Sequence, residues 1–182
     1  MDIAGKTVVI LVHNYFEQAE FEGPLQRLHD AGAEVRVVSA SGERELQGLN
    51  HVDKGDKFTA DLLLDDTKPD AYDALVLPGG AINADALRMI DGARDWVRHF
   101  VDTEKPLAAI CHAPWVLVSA GCADGRHLTS FFTIQDDIRN AGGEWTDEEV
   151  VTDGRLITSR KPDDVPAFTD ALIRLLAGET AA

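Results

Sequence analysis

Cysteine and long apolar runs are both scarce in this sequence. The two cysteines, Cys111 and Cys122, are too few for a disulfide scaffold, so each is free to serve as a catalytic or redox thiol. No apolar run approaches the roughly 18 residues that span a bilayer, and the opening M-D-I-A-G-K lacks the basic and apolar regions of a signal peptide. We therefore expect a cytoplasmic protein without a membrane partner.

Basic side chains are scarce as well. Seventeen Lys and Arg stand against 32 Asp and Glu, which gives a formal net charge of -15 at pH 7. Because this charge repels the phosphates of nucleic acids and of membranes, we expect no nucleic-acid binding. The Cys and His residues show no metal-ligand spacing, so we expect no metal site and no cofactor.

The remaining composition is that of an ordinary globular chain, with 45% hydrophobic and 27% charged residues among 182. Apolar β-branched runs alternate with segments of helical spacing, which predicts an α/β fold with a mostly parallel central sheet. Strands are predicted at 7–12, at V-R-V-V-S, at 74–77 and at 107–110, and the first helix at about 17–31. We expect residues 1–182 to form a single domain.

Two regions depart from this simple alternation. Residues 40–70 lose the rhythm and suggest a decorated loop with one or two short edge strands. Near the end, Asp153-Gly154 predicts a hairpin turn, and apolar residues spaced over 165–176 predict a last amphipathic helix.

Cys111 stands where an apolar strand gives way to a helix, in the motif A-I-C-H-A-P. This strand-turn-helix arrangement presents a nucleophile at the carboxyl edge of a parallel sheet, where ligands bind. A helix N-terminus lowers the pKa of a thiol, so we expect an exposed, reactive thiolate. His112 follows directly and can stabilise a thiolate as general base or charge partner. Because neighbouring side chains tend to diverge, the alternative is that its backbone N–H serves an oxyanion and its ring serves another carboxylate.

Other candidate residues follow neighbouring strands at the same edge. Gly79 and Gly80, in L-P-G-G, allow backbone N–H groups to approach a ligand. Glu17 and Glu20 follow the first strand, where a carboxylate can share a proton with the thiol or can simply be solvated. Asp85 is a further acid or a helix N-cap.

Aromatic side chains complete the set of candidates. Trp115 and Phe131 either line the mouth of the site or pack in the core.

Taken together, five segments resemble the PfpI intracellular-protease family of the ThiJ/PfpI superfamily: F-E-Q-A-E-F-E-G-P, A-L-V-L-P-G-G, A-I-C-H-A-P, T-S-F-F-T-I-Q-D-D and S-R-K-P-D-D. The resemblance runs nearly end to end. It implies a flavodoxin-like three-layer sandwich with a cysteine nucleophile elbow, a domain related to class I glutamine amidotransferases.

The resemblance also implies roles for individual residues. Cys111 matches the family nucleophile with His112 beside it, and Glu20 matches the glutamate that contacts the thiol. Glu17 matches a further acid of the PfpI branch. The N–H groups of Gly80 and His112 match the oxyanion pocket.

In the PfpI branch a carboxylate after P-G-G comes from a neighbouring subunit and orients the histidine. Asp85 stands at that position, so the resemblance implies a homodimer or higher homo-oligomer. Two positions depart from the family pattern: Phe131, where a tyrosine is frequent, and Lys161, where a histidine is frequent.

The resemblance implies a stress-related cysteine hydrolase that acts on carbonyl substrates: a peptidase, a deglycase or a glyoxalase-like enzyme. Its substrates would be small carbonyl compounds, glycated proteins or peptides. The alternative is a non-catalytic redox-sensing or chaperone-like protein with an oxidisable cysteine. A glutamine amidotransferase is disfavoured, because the histidines end at His127 and leave no downstream partner for the thiol.

Overall fold

The computed structural model describes residues 1–179, which form an α/β fold. The strands are β1 (Thr7–Val12), β2 (Phe16–Glu17), β3 (Glu34–Ser39), β4 (Glu45–Asn50), β5 (Asp53–Thr59), β6 (Leu62–Leu63), β7 (Ala74–Leu77), β8 (Leu107–Ile110), β9 (His127–Leu128), β10 (Glu144–Trp145), β11 (Val150–Asp153) and β12 (Leu156–Ser159). The helices are α1 (Gln18–Asp30), α2 (Ala81–Met89), α3 (Asp91–Asp102), α4 (Pro114–Ala120), α5 (Gln135–Asn140) and α6 (Val165–Leu176).

The central sheet has seven strands in the order β11-β12-β8-β7-β1-β3-β6. Every neighbouring pair is parallel except β11 and β12, which form the antiparallel hairpin predicted from Asp153-Gly154. Because β1, β7 and β8 are central and parallel, their carboxyl ends meet at one edge of the sheet.

Alternate residues of the central strands feed two separate cores. In β1, Val8 and Ile10 pack on the face covered by α1 and α6, whereas Val9 and Leu11 pack on the face covered by α2, α3 and α4. A strand that is buried on both faces requires a continuous apolar run, which explains the sequence T-V-V-I-L-V. The predicted three-layer, flavodoxin-like sandwich is confirmed.

The structure corrects the prediction for residues 40–70. β4 and β5 pair as an antiparallel hairpin and form a small sheet with β2. The pairing of these two strands was not predicted, because most side chains of β5 are exposed. That strand therefore lacks the alternation of apolar and polar residues that marks a half-buried strand. The hairpin lies against the segment that joins β1 to α1.

The sequence analysis also missed α2, which follows the P-G-G segment directly. Its residues Ala81–Met89 bury only one narrow stripe, so the apolar period is short. No helix within residues 1–179 combines the length and apolar character that crossing a bilayer demands.

Candidate active site

Cys111 lies at the turn between β8 and α4, as predicted. Its φ of 63° is unusual for a residue with a side chain. The backbone is held on both sides: the N–H of Cys111 donates to the Ser159 carbonyl (3.0 Å), and the Cys111 carbonyl accepts from the N–H of Phe131 (2.8 Å). These bonds hold the strained turn that carries the Cys111 thiol.

The thiol is less accessible than the sequence predicted. Cys111 is only 7% exposed, and burial raises the pKa of its thiol. Negative charge on Glu20 raises this pKa further, whereas the backbone N–H groups of Gly80 and His112 lower it. The expectation of an exposed thiol with a lowered pKa is therefore wrong, because the turn buries the side chain beside an acid.

Glu20 is the acid that contacts the thiol. It lies in the first turn of α1 and is fully buried, and its Oε2 accepts a hydrogen bond from the Gly79 N–H (3.0 Å). Its Oε1 is buried without a conventional partner among the described residues, a costly arrangement for an ionised carboxylate. Burial, with the nearby charge of Glu17, raises the pKa of Glu20 to about 8.

The carboxyl and the thiol therefore share protons as a coupled pair. Near neutral pH Glu20 holds its proton, which removes the charge that would oppose ionisation of Cys111. In that state the carboxyl is able to donate a hydrogen bond to the sulfur, because a protonated acid is a donor.

The His112 ring reaches the thiol, which is the first of the two arrangements considered from the sequence. Its Nδ1 lies 3.2 Å from Cys111 Sγ, and its Nε2 lies 3.4 Å from Thr133 Oγ1. Burial lowers the pKa of His112, so the ring is neutral near pH 7 and can accept a proton from the thiol.

Both predicted aromatic residues surround this ring. Phe131 stacks on His112 with ring centroids 4.8 Å apart, and Trp115 meets it edge to face at 5.3 Å. Phe131 also lines a cavity of about 240 Å³ together with Ser130, Phe132, Asp147, Arg160 and Lys161. Phe131 and Lys161, the positions of departure from the family pattern, thus line the same cavity.

Gly79 and Gly80 are required by close approach. A Cβ on Gly79 would lie 2.3 Å from Glu20 Oε2 and 2.5 Å from the Cβ of Cys111. Gly80 has a φ of 88°, and a Cβ there would lie 2.7 Å from the backbone N of Glu17. Gly79 and Gly80 can lie this close to Glu20, Cys111 and Glu17 only because they have no side chains.

Glu17 is near the site but serves another contact. Its buried carboxylate accepts the backbone N–H of His51 through Oε2 (3.1 Å), which fastens the tip of the β4–β5 hairpin. Its charge acts on Glu20 from there.

Asp85 lies in the middle of α2 and is exposed, so it is not the helix N-cap, a position taken by Gly80. Within residues 1–179 its side chain takes part in no hydrogen bond or ion pair. Its role toward a neighbouring subunit stays a prediction.

Asn83 is a residue of the site that sequence reasoning missed. It is fully buried, and its amide connects the end of β1 to the P-G-G segment. Nothing in the sequence marks an asparagine inside a helix as buried. In the described part of the chain, no group of three His, Cys, Asp or Glu side chains is arranged to hold a metal ion.

Comparison with known proteins identifies the family of this chain. Residues 6–175 match the DJ-1/PfpI family. Protein/nucleic acid deglycase 2 of Escherichia coli is 40% identical over 173 residues, covering 94% of this chain and 98% of that protein. General stress protein 18 of Bacillus subtilis is 35% identical over 173 residues, with the same coverage of both chains.

The crystal structure of Drosophila melanogaster DJ-1beta has the same fold. It superposes with a TM-score of 0.87 at 29% identity and covers 98% of this chain and 92% of that one. A match over nearly the whole chain, together with the fold and relatives of this similarity, leads to one conclusion: this chain belongs to the DJ-1/PfpI family.

Proposed function

We propose that this protein is a stress-related cysteine hydrolase that removes carbonyl adducts from proteins, peptides and small thiols or amines. One observation carries the proposal: the Cys111 sulfur is contacted by a buried carboxyl, by an imidazole nitrogen at 3.2 Å and by two backbone N–H groups. The name of the Escherichia coli relative, a deglycase, supports the same substrate class.

In the proposed first step the His112 ring takes the proton of the Cys111 thiol and passes it to solvent, and the resulting thiolate adds to a carbonyl carbon. The Sγ–C bond forms as the C=O π bond opens, and the electron pair passes to the oxygen. The N–H groups of Gly80 and His112 stabilise this oxyanion, and the Glu20 carboxyl then supplies the proton that converts it to a hydroxyl.

For a methylglyoxal adduct, the overall reaction needs only water. The adduct and one water molecule yield the free amine or thiol and lactic acid. The former aldehyde carbon is oxidised to a carboxyl while the neighbouring ketone is reduced to an alcohol, so no external oxidant or reductant is consumed. The neutral His112 ring is suited to moving the proton between these carbons.

The test is release of lactate from methylglyoxal adducts of N-acetylcysteine and N-acetyllysine. We expect Cys111→Ala to abolish the release. Cys122→Ala is the matched control, because the second cysteine is half-buried beside the Ala120 carbonyl and lies outside the site. A wild-type protein inactive on aldehydes, adducts and casein would overturn the proposal.

The redox-sensing alternative uses the same atom. A sensor, like the enzyme, needs small reagents to reach the Cys111 sulfur, so the 7% exposure of this residue does not separate the two functions. Mass spectrometry after mild peroxide treatment separates the two functions: selective oxidation of Cys111 in a protein with negligible turnover favours the sensor. The cytoplasmic location and the absence of nucleic-acid binding stay predictions from the sequence.

A further inference from the structure

The geometry points to Asn83 as a positioning residue that fixes the two peptide groups whose N–H bonds are directed at Glu20 and Cys111. The inference rests on the proposed role of Cys111 as the reactive thiol. It adds to the site a residue that contacts neither the thiol nor the carboxyl and acts only through the P-G-G backbone.

The first of these peptide groups joins Pro78 to Gly79. Its carbonyl oxygen accepts a hydrogen bond from Asn83 Nδ2 (2.9 Å), and its N–H donates to Glu20 Oε2 (3.0 Å). Because a trans peptide is planar, with the oxygen and the hydrogen on opposite sides, fixing the oxygen also fixes the direction of the N–H.

The second peptide group joins Gly79 to Gly80 and is held in the same way. Its carbonyl oxygen accepts from Asn83 Nδ2 (3.0 Å) and from the Glu17 N–H (3.3 Å). Its N–H, that of Gly80, faces the Cys111 thiol and lowers the pKa of that thiol. A single side-chain amide therefore holds both donor groups of the site.

Asn83 is itself held in place. Its Oδ1 accepts the backbone N–H of His13 at 2.7 Å, just after the end of β1. Both ends of the amide are thus satisfied, and the side chain is fully buried. The orientation of the amide is fixed as well, because only Nδ2 can donate to two carbonyls.

Such a constraint is needed because the two peptide groups lie between residues with little steric restriction. Gly79 and Gly80 carry no Cβ, and Gly80 already adopts a φ of 88°. Without Asn83, rotation of the Gly79–Gly80 peptide would turn its carbonyl, in place of its N–H, toward the sulfur. Hydrogen bonds to the two carbonyls also polarise the peptides and strengthen their N–H groups as donors.

The test compares wild type with Asn83→Leu, a nearly isosteric variant without charge. Alkylation of Cys111 by iodoacetamide is followed by mass spectrometry across pH. We expect its midpoint to rise by about one pH unit, since a hydrogen bond to a charged group is lost. We expect kcat to fall about tenfold or more, with KM within about twofold.

The titratable groups near Cys111, which are Glu17, Glu20, His112 and Asp164, are unchanged by this substitution, so they do not account for a shift. The matched control is Thr169→Val, which removes another buried side-chain hydrogen bond, to the Val165 carbonyl (2.8 Å). A merely structural role would lower the melting temperature, as this control is expected to do, without moving the alkylation midpoint.

An Asn83→Leu protein with the wild-type alkylation profile and kcat overturns the inference. Should that variant not fold, wild type supplies the answer by NMR: through-hydrogen-bond couplings from Asn83 Nδ2 to the carbonyl carbons of Pro78 and Gly79 are expected, and absence of both overturns it. Alkylation requires no substrate. A protein without turnover would therefore overturn the proposed function, while the alkylation midpoint would still test this inference.

Discussion

At the scale of single residues, the protonation of Glu20 decides the chemistry of the site. A solvated glutamate beside Cys111 would be ionised at neutral pH and would oppose formation of the thiolate. Here burial raises the pKa of Glu20 to about 8, so the acid is neutral when the nucleophile needs it to be. The same burial destabilises the folded protein at neutral pH, because folded Glu20 retains a proton that the unfolded chain releases.

Glu20→Gln is therefore expected to stabilise the protein in a pH-dependent way. Between the ordinary pKa of 4.5 and the folded value of about 8, the unfolded chain releases the Glu20 proton while the folded chain retains it. Wild-type stability falls through this window by up to about 1.4 kcal/mol per pH unit. The advantage of the glutamine variant should grow from pH 5 to pH 8 and then level off, reaching several kcal/mol at most.

Urea unfolding at pH 5 and pH 8 measures this difference. Glu43→Gln, at an exposed position, is the control and should show no such trend. An equal stability difference for Glu20→Gln at both pH values would contradict the raised pKa. Lactate release by the same variant should fall, because the glutamine has no proton to transfer.

The sequence predicted the members of the site better than their state. Cys111, Glu20 and Gly79 were found from their places after β8, β1 and β7, since parallel strands gather at one edge. The burial of the thiol was not predicted, because it depends on the positive φ of Cys111 and on the overlying glycines. Neither feature is visible until the backbone is closed around the site.

At the scale of elements, the segment between β7 and α2 has the strictest geometry. Gly80 and Gly121 offer a matched pair of tests, since both have positive φ values, of 88° and 75°. An alanine at either position costs about 1 kcal/mol of backbone strain. Only at Gly80 would its Cβ also collide with backbone, 2.7 Å from the Glu17 nitrogen; at Gly121 nothing lies within 4 Å.

We therefore expect Gly121→Ala to lose about 1 kcal/mol and keep its activity. Gly80→Ala should lose more stability and at least about tenfold in lactate release, because the displaced N–H no longer meets the oxyanion. Urea unfolding and the lactate assay measure both variants. Equal losses of stability and of lactate release in the two variants would show that backbone strain alone, without crowding near the thiol, accounts for the effect of an alanine at Gly80.

Some secondary-structure elements were predicted from the sequence, and others were not. β1 and β7 were predicted because strands buried on both faces need unbroken apolar runs. The β4–β5 hairpin and α2 were missed because each presents much of its surface to solvent, which dilutes the apolar period. The hairpin matters to the site all the same, since its tip binds the Glu17 carboxylate.

At the scale of the whole molecule, the exposed face of α2 carries a prediction about assembly. Asp85 is flanked on this face by Ile82 and Met89, which are 54% and 74% exposed. If Asp85 completes a neighbouring subunit's site, the protein is at least a dimer in solution. Asp85→Asn should then lower lactate release about tenfold or more, by losing the carboxylate that orients His112.

The same variant should leave the melting temperature nearly unchanged, because exposed polar substitutions cost little. Light scattering gives the oligomeric state, and the lactate assay gives the activity. A fully active monomer, or an Asp85→Asn protein with wild-type turnover, would show that the single chain carries a complete site.

The central claim is that Glu20 holds its proton beside Cys111 at neutral pH, and an NMR titration of the Glu20 side-chain carboxyl carbon tests it most directly. The predicted result is a carboxyl that stays protonated at pH 7 and titrates near pH 8. A midpoint near the ordinary value of 4.5 would contradict the account. An ionised Glu20 would repel the negative charge of the Cys111 thiolate and would have no proton to supply to the oxyanion.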